Sequence, residues 1–137
     1  MVEPFVITTE PLDPAPLVAA VQTPNDGAVV TFSGVVRNHF GGRPTAFLVY
    51  EAYTEMAVPV LRQIADEARV RWPIGRVCVH HRVGRLEIGE TAVLVVVAAP
   101  HRDAAFAAAA YIMDRIKEIA PIWKQEHWAD GEAEWRE

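Results

Sequence analysis

Apolar and polar positions change period several times along the 137-residue chain, and each change predicts an element boundary. Phe5 to Thr9 reads as a short strand, and Asp13 to Val21 as a short helix with two prolines near its start. Asn25-Asp26-Gly27 is a turn signal. The run AVVTFSGVVR, Ala28 to Arg37, predicts a strand with Gly34 at a bulge or close approach. Asn38 to Pro44 reads as a loop and Thr45 to Ala52 as the next strand. Thr54 is expected to cap a helix reaching Arg71, with Val58, Leu61, Ile64, Ala65 and Ala68 at helical spacing. Arg76 to Val83 predicts a strand and Gly84 to Gly89 a turn. Thr91 to Ala99 is almost continuously apolar and β-branched, as in a strand buried on both faces. His101 to Ala120 predicts a second long helix stopped by Pro121, and Ile122 to Trp128 a closing strand. The order implies one α+β domain over residues 1–137, with helices packed on a mixed or antiparallel sheet.

Composition narrows the function classes. Half the residues are apolar and about a quarter are charged, the mix of a soluble globular protein. A net charge of -5 argues against nucleic-acid binding, which needs a basic face. The longest apolar run, Ala92 to Pro100, is far short of the ~20 residues of a membrane span. The first residues carry neither a basic leader nor an apolar export segment, so a cytoplasmic location is expected. Cys78 stands alone and reads as a buried filler rather than a nucleophile. The histidines at 39, 80, 81, 101 and 127 show no metal-ligand spacing, and there is no nucleotide-binding glycine fingerprint. Neither a metal nor a cofactor is expected. His80-His81-Arg82 reads as a strand edge or interface element.

Of 13 basic side chains only Lys117 and Lys124 are lysines. In an arginine-biased chain these two draw notice, because an ammonium can lose its proton on burial and a guanidinium cannot. On a helical wheel Lys117 falls in the apolar sector with Ala105, Phe106, Ala109, Ala110, Ile112, Met113, Ile116 and Ala120. Two readings stand at this point: a lysine snorkelling from a core face, or a partly desolvated nucleophile or proton carrier. The junction Pro100-His101-Arg102-Asp103 opens the same helix, where free N–H groups suit an anion. Arg102 and Lys117 lie some 22 Å apart along it, so they serve one pocket only if the ligand is long or a second copy contributes. Arg37, after the strand FSGVV, adds a possible anion clamp.

The runs FSGVVRNH, YEAY, HRVGRLEIGE, PHRDAAF and KEIAPIWKQE resemble, in order and spacing, the large subunit of molybdopterin synthase, the MoaE family. The resemblance spans roughly residues 27–128. It implies an α/β-hammerhead-like two-layer fold and a sulfurtransferase that converts cyclic pyranopterin monophosphate (precursor Z) to the molybdopterin dithiolene. The sulfur would come from the thiocarboxylated Gly-Gly terminus of a small ubiquitin-like (MoaD-like) carrier, and two copies of this chain would form a homodimer within a heterotetramer. By motif position Lys117 resembles the catalytic lysine and Lys124 a supporting one. Val35, Val36, Arg37, His101, Arg102, Gln125 and Glu126 match substrate-contacting positions, with Phe32 and Met113 lining the pocket. Gln125 stands where relatives commonly carry a basic residue. The chain also stops soon after Trp135, where relatives continue with a basic tail, and Arg136 is the candidate substitute. Such an enzyme needs no reactive cysteine of its own. The competing readings are a non-catalytic phosphopterin-binding scaffold and, more remotely, a structural dimer with no small-molecule site.

Overall fold

The computed structural model describes residues 2–136. Nine strands and three helices are seen among them: β1 (Phe5–Thr8), α1 (Pro14–Val21), β2 (Ala28–Val35), β3 (His39–Phe40), β4 (Arg43–Ala52), α2 (Thr54–Arg71), β5 (Val77–Arg82), β6 (Gly84–Glu87), β7 (Thr91–Ala99), α3 (Arg102–Ile119), β8 (Ile122–Trp128) and β9 (Ala133–Arg136). The strands form two sheets. One runs β1-β5-β7-β2, with β1 and β5 parallel and the other pairs antiparallel. In the second, β4 pairs with β8 and β8 with β9, while β3 and β6 also pair with β4.

β7 is the spine. Its Val93, Val95 and Val97 meet α2 and α3 through Leu61, Ile64, Ala108, Ile112 and Ile116. Its Leu94, Val96 and Ala98 turn to the other face, where Leu17 and Val21 of α1 and Cys78 cover them. This two-sided burial accounts for the unbroken apolar run in the sequence, and each such valine stabilises the fold by about 1.5–3 kcal/mol. Cys78 is a core residue, as read, and burial raises its thiol pKa.

The differences from expectation are local. Thr54 is the first residue of α2 rather than its cap; Tyr53 occupies the cap position without a side-chain bond. The expected 38–44 loop contains β3, which forms a tight hairpin with β4. Gly41 and Gly42 carry φ of 58° and 79° there, a conformation glycine adopts without cost. The expected turn at 84–89 contains β6, and β9 was not anticipated. The apolar sector of α3 is narrower than the wheel suggests: Ala104, Ala105, Ala108, Ala109, Ile112 and Ile116 are buried, whereas Phe106 is 61% exposed and Lys117 is exposed. The bulge expected near Gly34 is present, as a register shift between Gly34 and Val35.

Candidate active site

Three strands of the second sheet place Tyr50, Lys124 and Arg136 side by side, because Tyr50 pairs with Lys124 and Lys124 with Arg136. Residues directly opposite on adjacent strands share a face. The first sheet contributes His81 of β5 and Val93 of β7; α3 contributes Met113, Ile116 and Lys117 from its C-terminal half. Together with Arg37, Phe40, Ile122 and Trp123 these enclose a cavity of about 280 Å³ at the junction of both sheets and α3. An adjoining recess of about 60 Å³ is lined by Val35, Val36, His39, Leu48 and Glu126 and shares Arg37, Tyr50, Lys124 and Arg136 with it.

Four cations thus surround one small space. Lys117 stands exposed in the last turn of α3, where the negative end of the helix dipole favours a positive charge. Lys124 is half-buried, and burial lowers its pKa, with the charges of Arg136, Lys117 and Arg37 acting in the same direction and Glu126 opposing. The desolvated lysine of the site is therefore Lys124, and of the two readings open for Lys117 its exposure fits the snorkelling one. Arg37 and Arg136 both lie against the Phe40 ring, with guanidinium carbons 6.0 and 3.3 Å from its centroid.

Glu126 anchors this arrangement. Its carboxylate is buried and accepts from the Thr45 hydroxyl and from Arg136 Nη2 at 2.5 Å. Arg136 Nε is buried in turn and has no hydrogen-bond partner among the described residues. Burial dominates the titration of the neutral groups as well. It raises the Tyr50 pKa and lowers that of His81 to about 4, where the bond to the Arg82 carbonyl opposes it and Lys124 adds to it.

A larger groove of about 680 Å³ lies by the starts of β1 and β5, where α1 and Arg69 of α2 also line it. Its lining is apolar apart from Arg69 and Arg76, whose guanidiniums bond the carbonyls of Gly75 and Ala20. The convergence of cations and perturbed groups puts the chemistry in the smaller cavity.

The family model described as MoaE protein matches residues 7–119. The chain is 48% identical over 132 residues to the molybdopterin synthase catalytic subunit of a Nostoc species, covering 96% of this chain and 80% of that one. It is 45% identical over 130 residues to the Bacillus subtilis protein of the same name, covering 95% and 83%. The chain belongs to the MoaE family. Among solved structures, molybdopterin synthase from Staphylococcus aureus superposes with a TM-score of 0.94 at 42% identity, covering 100% of this chain and 99% of that one. A complex of the two subunits of the molybdopterin-converting factor from Helicobacter pylori shares the fold, with a TM-score of 0.76 at 22% identity and coverage of 96% and 90%.

Of the positions matched to MoaE motifs, Arg37, Met113, Lys117 and Lys124 meet in the cavity, and Val35, Val36 and Glu126 in its recess. Three groups lie elsewhere. His101 and Arg102 are exposed at the opposite end of α3, and His101 occupies the helix cap position without a side-chain capping bond. Gln125 faces away from Lys124 along the alternating strand and bonds His127 at 2.8 Å, so its side chain is outside this cavity. Phe32, on edge strand β2, is 40% exposed and is also outside the cavity lining. Sequence reasoning missed Tyr50 and Trp123, and it misread His81, which is buried in an inner strand rather than at an edge. The signal was there: Val77, Val79 and His81 alternate onto the core face of β5. Among the described residues no cluster of metal-binding side chains occurs, and no helix is long and apolar enough to cross a membrane.

Proposed function

We propose that this chain is the catalytic subunit of a molybdopterin synthase. In this reading it works in the cytoplasm and moves sulfur from the thiocarboxylated C-terminus of a small ubiquitin-like carrier onto cyclic pyranopterin monophosphate. The observation that carries the reading is the cavity itself, where Arg37, Lys117, Lys124 and Arg136 converge on one space, with one lysine desolvated and one open to solvent.

Each part has a task. Once the thiocarboxylate sulfur has bonded the substrate carbon, water or the Lys117 amine adds to the acyl carbon. The acyl carbon–sulfur bond then breaks through a tetrahedral, negatively charged arrangement that fixed cations stabilise, leaving the sulfur on the substrate. Lys117, exposed at the rim, is placed to meet an incoming chain terminus. It serves there as general acid and base or as the transient acceptor of the acyl group. Lys124 and Arg136, the latter held by Glu126, lie deeper and face the substrate. His101 and Arg102, at the far end of α3, are free to hold the phosphate of a substrate seated on a second copy, which gives a homodimer a functional purpose.

Single-turnover reaction of the chain with thiocarboxylated carrier and cyclic pyranopterin monophosphate tests the proposal. Dithiolene product is expected from the native chain and none from Lys117→Ala, with carrier binding retained. A covalent adduct between the carrier's terminal glycine and Lys117, detected by mass, would identify the acceptor role over the acid–base role. Substrate binding without turnover in the native chain would point instead to a scaffold.

A further inference from the structure

Nearly every polar side chain around the cavity donates. Arg37, Lys117, Lys124 and Arg136 have no acceptor capacity at all, each oxygen of Glu126 already accepts a bond from Thr45 or Arg136, and the Tyr50 hydroxyl can donate as well as accept. His81 is different. Its Nδ1 lies 2.8 Å from the carbonyl oxygen of Arg82; a carbonyl only accepts, so Nδ1 carries the hydrogen. Burial, at 4% exposure, keeps the ring neutral near pH 7, which leaves Nε2 with a bare lone pair. Among the described residues Nε2 has no hydrogen-bond partner, although the ring lines the cavity.

Position sharpens the point. The core-facing row of β5 is Val77, Val79, His81, and packing alone would be met by a third apolar side chain. Among the described residues the buried side-chain atoms left without a partner are Trp128 Nε1 and Arg136 Nε and not His81 Nε2, so this nitrogen is open to the cavity and a donor that enters there can pair with it. The groups around it come from every adjoining element. Tyr50 of β4 packs edge-on at 5.0 Å and Val93 of β7 is its register partner. Lys124 and Arg136 stand on β8 and β9, Lys117 on α3, and Arg37 after β2.

Building on the phosphopterin reading, we propose that His81 is a specificity-determining residue whose Nε2 accepts an N–H of the substrate's ring system while His101 and Arg102 of a second copy hold its phosphate. The site then selects a nitrogen heterocycle bearing both a ring N–H and a phosphate, and discriminates against a phosphate or phosphosugar alone. A site that contacts a donor through a buried acceptor loses much of its affinity when the pairing is broken.

Nitrogen-15 NMR of imidazole-labelled native protein reads this directly. Addition of cyclic pyranopterin monophosphate is expected to shift the pyridine-like Nε2 resonance of His81 toward its hydrogen-bonded position, and inorganic phosphate to leave it in place. In the complete enzyme with its thiocarboxylated carrier, His81→Phe keeps the ring packing but removes the acceptor. It should raise KM by about tenfold or more, with a much smaller change in kcat. His81→Gln, which restores an acceptor, should recover part of that loss. If the pterin binds while the Nε2 resonance stays unmoved, or if phosphate moves it equally, the inference is overturned and the functional reading stands. Failure of the pterin to bind at all would remove both.

Discussion

The two ends of α3 carry the same kinds of charge in opposite settings. At its C-terminal end Lys117 joins a cavity that the chain builds from both sheets, with Lys124, Arg136 and Arg37 already assembled and Glu126 fixing Arg136 in place. At its N-terminal end His101 and Arg102 stand exposed, with no capping bond, no salt bridge and no cavity around them among the described residues. One end is a finished wall; the other is half of something. Under the proposed function, this contrast assigns the reactive centre to one copy of the chain and the phosphate grip to a second copy.

The largest effect is expected at the finished end. Lys117→Ala should lower the rate of dithiolene formation by at least about 100-fold in single-turnover assays, while thermal unfolding stays near that of the native chain. Lys117 is exposed, so a large loss of stability would show that its role is structural.

Next comes the anchor beneath it. Arg136→Ala leaves the Glu126 carboxylate buried without its ion-pair partner and should destabilise the fold by about 3 kcal/mol in denaturant titrations. Adding Glu126→Gln should return part of that loss.

His81 makes the same end sensitive to acid. Its pKa falls from an ordinary 6.5 to about 4 in the folded chain. The unfolded chain therefore takes up the proton first as pH drops. The contribution of the neutral ring is complete above about pH 6.5 and is lost progressively toward pH 4, by about 3 kcal/mol. Stability measured across that range should lose this slope in His81→Phe.

At the open end, Arg102→Ala should raise KM for the phosphorylated substrate by about tenfold or more and leave stability within about 0.5 kcal/mol. The smallest effect belongs to neither end: Cys78→Ala should cost about 1 kcal/mol of core packing and leave turnover unchanged, since the sulfur comes from the partner.

Much of this contrast was legible beforehand, because it rests on local patterns. The two lysines stood out against eleven arginines, the helix span between Arg102 and Lys117 follows from its rise alone, and the unbroken Thr91 to Ala99 run announced the central strand. What could not be read was which strands pair. The row Tyr50, Lys124, Arg136 depends on long-range registers that no local period encodes. β6 and β9 are four residues each, too short to establish alternation, so Arg136 could be suspected but not placed. Phe106 and Lys117 share a wheel sector with the core, yet the packed helix turns that shoulder outward; the wheel gives an angle, and only the packing says where the core is.

The central claim, that the two ends of α3 complete one site only across two copies, is tested most directly by mixing two impaired chains. Lys117→Ala and Arg102→Ala proteins are assayed separately at substrate well below KM, where the first is silent and the second keeps about a tenth of native activity or less, then unfolded together, refolded and assayed with the thiocarboxylated carrier. A shared site predicts recovery toward about a quarter of native activity, because half of the randomly formed dimers would carry one intact site of two. No recovery, with mixed dimers shown to be present, would contradict the account.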